Sequence, residues 1–277
     1  MLKKMTINSI IQYIEDNLEL HFIYIDDLVS YSGYSRRYLQ LLFKNYVKFP
    51  IGKYIQMRRV SRAAFLLRLT NQSIIDISEK LLYDSQQTFT REFKKITGYT
   101  PKRYRNLPYW SFNNIIGCRK IDETPPKPMI CNLKEKEVWG CTFEHRELPY
   151  IRENSKTRNY KINQNLKKQK KITLSNKFSL DKTSDKALVS TIMWTNKNDA
   201  NCKIIINGGT YACFSFYGTL DEYNDYIKNI YEKSLQIYNI DVKDAYDIEV
   251  ISIASNNKFN FNYYLPVYEE NNVSTKK

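Results

Sequence analysis

A short pattern occurs twice in this chain at an offset of fifty residues: Ser35, Phe43 and Lys44 recur as Ser85, Phe93 and Lys94. In each copy a serine, a residue type that caps helix N-termini, precedes apolar residues spaced three or four apart, so one face of each predicted helix must be buried. That face is Leu39, Leu42, Phe43 and Tyr46 in the first copy and Phe89, Phe93 and Ile96 in the second. Arg36, Arg37, Gln40 and Lys44 project from the opposite side of the first, and Gln86, Gln87, Thr90, Arg91 and Lys94 from that of the second. Amides pair with adenine edges, arginine with guanine and lysine with phosphate, so this inventory suits a DNA major groove. A lone amphipathic surface helix would carry the same stripe. Here, however, each copy follows a short helix and a turn. Asp26 and Asp27 open a short helix ahead of a turn at Gly33, and Ser73 with Asp76 starts another through Ile74, Ile77 and Leu81. Each copy therefore reads as a helix-turn-helix.

Flanking segments supply the frame. Thr6 is expected to cap a first, supporting helix whose apolar positions are Ile7, Ile10, Ile11, Ile14 and Leu18. Pro50 opens a longer helix between the two copies, with Ile51, Tyr54, Ile55, Val60 and Leu67 on its apolar side. Arg58 and Arg62 on that helix are expected either to contact phosphate or to form a solvated basic face. A helix of about 17 residues is about 25 Å long. With side-chain offsets, it sets two recognition helices near the ~34 Å at which successive major-groove faces recur. One monomer would then read two adjacent groove segments and need no palindrome.

Composition narrows the chemistry. The 277 residues carry 43 Lys and Arg against 29 Asp and Glu, a net charge of +14, of which +9 lies in residues 1–107. That footprint attracts a phosphate polymer. Five cysteines without a CxxC pair, and only two histidines, His21 and His145, suggest neither a disulfide framework, a metal centre nor a histidine-based catalytic site, and no cofactor is expected. No apolar run approaches the ~20 residues of a membrane span, so a cytoplasmic address is expected.

The character changes after residue 107. Prolines at 108, 125, 126 and 128 punctuate a segment without helical period, expected as a linker over 108–128 between domains at 1–107 and 129–277. Segments 137–143, 188–195, 202–206, 210–217, 248–254 and 259–267 are rich in β-branched and aromatic residues and read as strands. Thr219 and Glu222 form a capping box for a helix running to about Tyr238. The polar segment 152–171 is compatible with a solvated helix or a loop. The expected architecture is an all-α N-terminal domain with two helix-turn-helix units joined by a linker helix, followed by an α+β domain on an antiparallel sheet.

Residues 7 to about 107 resemble the AraC/XylS-type DNA-binding domain, on DSQQTFTREFKK followed by GYTPxxYR and on IGKYIQMRRVSRAAFLLRLT. The similarity is strongest to the branch answering drugs and superoxide. It implies that Gln86, Gln87, Thr88 and Arg91 contact DNA. It also implies a transcriptional regulator, and not an enzyme, that activates stress or multidrug-response promoters and touches RNA polymerase. An architectural DNA-binding protein is the alternative. In the first unit Arg37 and Leu41 depart from the residues usual in that branch, so Arg36, Arg37, Gln40 and Lys44 are expected from facing direction alone. The second half is similar to the GyrI-like effector domain, on GGTYACFSFYG and DIEVISIA with FNYYLPVYE. That likeness implies a groove for an amphipathic or cationic molecule. Trp139, Trp194, Tyr211, Phe216 and Tyr263 would be its aromatic walls and Glu249 its counter-charge.

Overall fold

Seven helices make up the N-terminal part of a computed structural model that describes residues 1–119, 121, 124–147, 156–179, 187–255 and 257–268. They are α1 (Leu2–Asn17), α2 (Ile25–Ser32), α3 (Arg36–Val47), α4 (Ile51–Leu69), α5 (Ile74–Lys80), α6 (Gln86–Thr97) and α7 (Pro101–Arg105). The apolar stripes are buried: Ile7, Ile10 and Ile14 of α1, Leu39 and Phe43 of α3, Val60, Ala63 and Leu67 of α4, and Phe89 and Phe93 of α6 are all inaccessible. Tyr104 of α7 packs edge-on against Phe93, with ring centres 5.3 Å apart. At 19 residues, α4 is about 28 Å long.

Local signals set most of the helix ends. Ser35 and Ser85 cap α3 and α6 by accepting the Tyr38 and Thr88 amides, and Ser73 with Asp76 completes a capping box on α5. Thr6 does not cap α1. The helix begins at Leu2, four residues earlier, and the Thr6 hydroxyl instead donates back to the Leu2 carbonyl at 3.1 Å.

The repeat extends to the helix C-termini. α6 ends at Gly98 with φ +83°, while α3 ends fifty residues earlier at Lys48, held at φ +70°. Only glycine adopts this left-handed backbone without crowding its Cβ. Lys48→Gly is therefore expected to stabilise the protein by about 0.5–1 kcal/mol. Thermal unfolding of the two proteins checks this, and an unchanged or lower midpoint for the variant would contradict it.

The remaining elements are β1 (Tyr109–Trp110), β2 (Met129–Leu133), β3 (Lys136–Glu147), α8 (Lys156–Leu166), β4 (Lys171–Ser179), β5 (Ala187–Trp194), β6 (Cys202–Ile206), β7 (Gly209–Gly218), α9 (Leu220–Asn229), β8 (Val242–Lys243), β9 (Ile248–Ser255) and β10 (Lys258–Pro266). A π turn at Ile230–Ser234 and a last turn at Leu235–Ile237 continue α9. Eight strands form an antiparallel sheet in the order β2-β7-β10-β9-β4-β5-β3-β6. Strand β4 had no clear sequence signal because its centre, Ser175-Asn176-Lys177, is polar; Ser175 and Asn176 are nevertheless buried. Within 152–171, the helix α8 accounts for Lys156–Leu166, and 152–155 lie outside the described residues.

By internal contacts the chain separates into one unit of residues 1–67, 72–106 and 113–125 and another of 68–71, 107–112 and 126–277. The stretch expected as a linker is shared between them. In the first unit Ile115 and Ile116 are buried, and the Ile116 amide donates to Ser61 Oγ at 2.9 Å. In the second, β1 pairs with β8, and Trp110 and Phe112 pack on Tyr231.

Candidate functional site

Each helix-turn-helix is held by groups that leave its outer face open. Tyr24 N–H donates to Asp27 Oδ2 at 2.9 Å at the start of α2, and Gly33 with φ +68° turns the chain toward α3. Arg36, Arg37, Gln40 and Lys44 are all exposed. Arg36 is tied to Asp26 at 2.6 Å in an exposed pair, whereas Arg37, Gln40 and Lys44 border a recess beside the start of α4. In the second unit the turn residue Tyr83 donates to Glu92 Oε1 of α6 at 2.7 Å. Burial, reinforced by that carboxylate, pushes the Tyr83 hydroxyl well above its ordinary range, so it stays a donor and fixes α6 on its turn. Gln86, Gln87, Arg91 and Lys94 are exposed, and Thr90 is half-buried. Thr88 is half-buried as well, its hydroxyl accepting from Ser85 Oγ at 3.1 Å.

Arg58 is not a surface cation. Only 3 % of it is exposed, and its guanidinium clamps the Glu15 carboxylate of α1 with two bonds of 2.7 Å while donating to the Ile116 carbonyl. Burial alone would raise the Glu15 carboxyl, but the charge and hydrogen bonds of Arg58, with Arg62 and the Tyr54 hydroxyl, hold it below its ordinary value. Arg62 lies 3.5 Å from Glu15 and 3.7 Å from Glu19, with 11 % of its side chain exposed. The expected phosphate contacts of Arg58 and Arg62 are thus replaced by ion pairs that fasten α4 to α1. Helical period alone placed these arginines on an outer face, and it could not see that α1 lies against that face.

The six residues expected to line an effector groove do not gather in one place. Glu249 on β9 and Tyr263 on β10 are cross-strand partners, and both are inaccessible. Arg158 of α8, 2 % exposed, donates to Glu249 Oε2. Asn176 of β4 gives its side-chain N–H groups to Glu249 Oε1 at 2.9 Å and Asp247 Oδ1 at 2.8 Å, and accepts from Thr191. Tyr263 donates to Asp247 Oδ2 at 2.7 Å, and Tyr231 to Tyr263 at 2.8 Å. Phe216 packs instead on Tyr226 beneath α9, with ring centres 4.7 Å apart. Tyr211 is one residue out of phase, so it leaves the other face of the sheet and donates to the Asn207 carbonyl at 2.7 Å. Trp194 partners Gly140 across the ladder, so Trp139, its neighbour, points from the opposite face. Both indoles carry the chain's own cations: Lys136 sits 5.1 Å from Trp194, and Lys197 and Lys203 sit 5.2 and 5.5 Å from Trp139. Arg158, Asn176, Asp247 and Tyr231 had no sequence signal, because their partners lie on other elements.

Among the described residues, no cluster of histidine, cysteine and carboxylate side chains could hold a metal ion, and no helix is long and apolar enough to cross a membrane.

Two capped helix-turn-helix units, followed along the chain by a sheet domain with a buried polar centre, are the frame of a DNA-binding transcriptional regulator with a second domain. Residues 28–107 match a helix-turn-helix domain family and residues 126–268 a GyrI-like small-molecule-binding domain family. The chain belongs to the AraC-type regulators that carry a GyrI-like domain. It is 52 % identical over 97 % of its length to the F1 operon positive regulatory protein of Yersinia pestis, covering 90 % of that protein. It is 28 % identical to the right origin-binding protein of Escherichia coli K12, over 81 % of this chain and 83 % of that one. It is also 41 % identical to the HTH-type transcriptional activator AarP of Providencia stuartii, over 40 % of this chain and 80 % of that protein.

Proposed function

We propose that this protein activates transcription as a monomer bound to an asymmetric DNA site, with α3 and α6 in successive major grooves, and that it contacts RNA polymerase there, in the cytoplasm. The supporting observation is the pair of serine-capped twelve-residue helices whose buried faces correspond and whose exposed faces differ. Two relatives named as a positive regulator and an activator support the direction of regulation. The likeness to the drug- and superoxide-response branch extends the reading to stress and multidrug-response promoters. Gln86, Gln87, Thr88, Thr90 and Arg91 read bases from α6, with Lys94 on phosphate; Arg37 and Gln40 read from α3, with Lys44 on phosphate and Arg36 steadied by Asp26.

Changing Gln86 or Arg91 to alanine is expected to weaken binding to the cognate site by about 1–3 kcal/mol per bidentate contact and to leave random DNA nearly unaffected. Equal losses on both DNAs, measured by titration at fixed salt, would remove the readout role and favour an architectural binder.

The C-terminal domain binds an amphipathic or cationic small molecule around Glu249 and Tyr263. Glu249 is already neutralised by Arg158, so an incoming cation takes the place of that guanidinium. The family description as a small-molecule-binding domain supports this reading.

A further inference from the structure

The fifty-residue offset gives each residue of α3 a counterpart in α6, and at one exposed pair an apolar side chain stands in the place of a cation. Arg91, exposed and central on the outer face of α6, corresponds to Leu41 of α3. Leu41 is 55 % exposed on a face whose other exposed positions include Arg37, Gln40 and Lys44. An arginine at the centre of such a face pairs with the N7 and O6 acceptors of guanine. Leucine has no hydrogen-bonding group, and the one apolar feature that a base pair offers in the major groove is the C5-methyl of thymine.

A second observation points the same way. Leu41 does not stand alone but forms part of an apolar recess of about 600 Å³ with Ile25, Ile51 and Ile55, bordered by Arg37 and Lys44. A methyl group placed against Leu41 would therefore leave water on the protein side as well as at the base. The two cations sit one helical turn to either side of Leu41, at positions i−4 and i+3, where Lys44 can hold a flanking phosphate while Arg37 meets a base edge, keeping the leucine pressed to the groove floor.

We infer that Leu41 reads a thymine methyl in the half-site bound by α3, so that the first unit selects a T·A pair where the second, through Arg91, selects guanine. The inference rests on the proposed DNA-binding mode and assigns to it one base and one atom. It makes the two half-sites unlike in chemistry, although the two readers share one framework.

Replacing thymine by deoxyuridine removes the methyl and keeps every hydrogen-bonding group. The full-length protein is titrated onto its footprinted site and onto versions carrying deoxyuridine at each thymine in turn. One replacement, in the half-site whose protection weakens in Arg37→Ala, is expected to reduce affinity about three- to fivefold, the loss for one buried methyl-sized group. Leu41→Ala should show the same loss on the thymine site and no further loss on that deoxyuridine site, while Leu41→Met retains the sensitivity. Leu41 is exposed, so these variants keep the fold. Undiminished deoxyuridine sensitivity in Leu41→Ala, or no sensitive thymine in that half-site while sequence-specific binding persists, would overturn the assignment to Leu41. Failure of the wild-type protein to prefer any sequence would instead overturn the DNA-binding mode on which the assignment rests.

Discussion

Arg58→Ala is expected to destabilise the protein by about 3–5 kcal/mol, the range for removing one partner of a buried ion pair. The change takes from the Glu15 carboxylate, 9 % exposed, its two shortest bonds, leaving it Arg62 and the Tyr54 hydroxyl, and leaves the Ile116 carbonyl without its guanidinium donor. The effect separates two roles that look alike in sequence. A phosphate-binding arginine would change the salt dependence of DNA binding by about one unit of log–log slope and leave folding alone. Arg58 should do the reverse, and urea unfolding together with a salt titration of the folded variant reads both. A normal unfolding midpoint with a reduced slope would return Arg58 to the DNA surface. Replacing the pair together, with Glu15→Leu and Arg58→Met, should recover part of the loss, because the carboxylate is then not left without its main partner and Arg62 keeps Glu19.

The same contact sets a pH dependence. The folded Glu15 carboxyl lies below its ordinary value of about 4.5, so it contributes stability above that pH, and the contribution is lost as pH falls through the folded value. Arg58→Ala should flatten that acid limb.

Glu249→Ala is the second large effect, again about 3–5 kcal/mol. The partner left behind is Arg158, 2 % exposed, and the carboxylate removed also accepts from Asn176. Asn176 ties Glu249 to Asp247, and Asp247 to Tyr263 and Tyr231. The loss should therefore spread through the centre of the sheet domain. Hydrogen exchange on β4, β9 and β10 would show whether it does; a change confined to α8 would reduce Glu249 to a simple anchor for that helix. Among the residues expected to meet a cation, the acid and the two tryptophans already hold the protein's own cations, and a foreign cation must compete with each of them.

What could be read from the sequence follows from the range of the interactions. Serine caps act over three residues and apolar stripes over two turns, so α3, α6 and their turns were legible from Ser35, Ser85, Phe43 and Phe93. Thr219 and Glu222 likewise announced α9. Thr6 shows the limit of such signals: a capping residue type was present, but the backbone had already begun its helix. Sheet order was not legible, because Arg158 meets Glu249 across 91 residues and Asn176 meets Asp247 across 71. Nor was the fate of Arg58, whose partner Glu15 lies 43 residues away on a helix that sequence treated only as support. Aromatic strand residues gave composition without direction, and a one-residue difference in phase sent Tyr211 and Tyr263 to opposite faces of the sheet.

The most direct test of two unlike readers on one chain is footprinting of the purified protein at base resolution, repeated with Arg91→Ala. The prediction is protection of two adjacent major-groove segments about one helical turn, ~34 Å, apart on one face of the duplex. The protected sequence should lack dyad symmetry, and only one of its segments should fade in the variant. A palindromic footprint, or equal fading of both segments, would contradict the account.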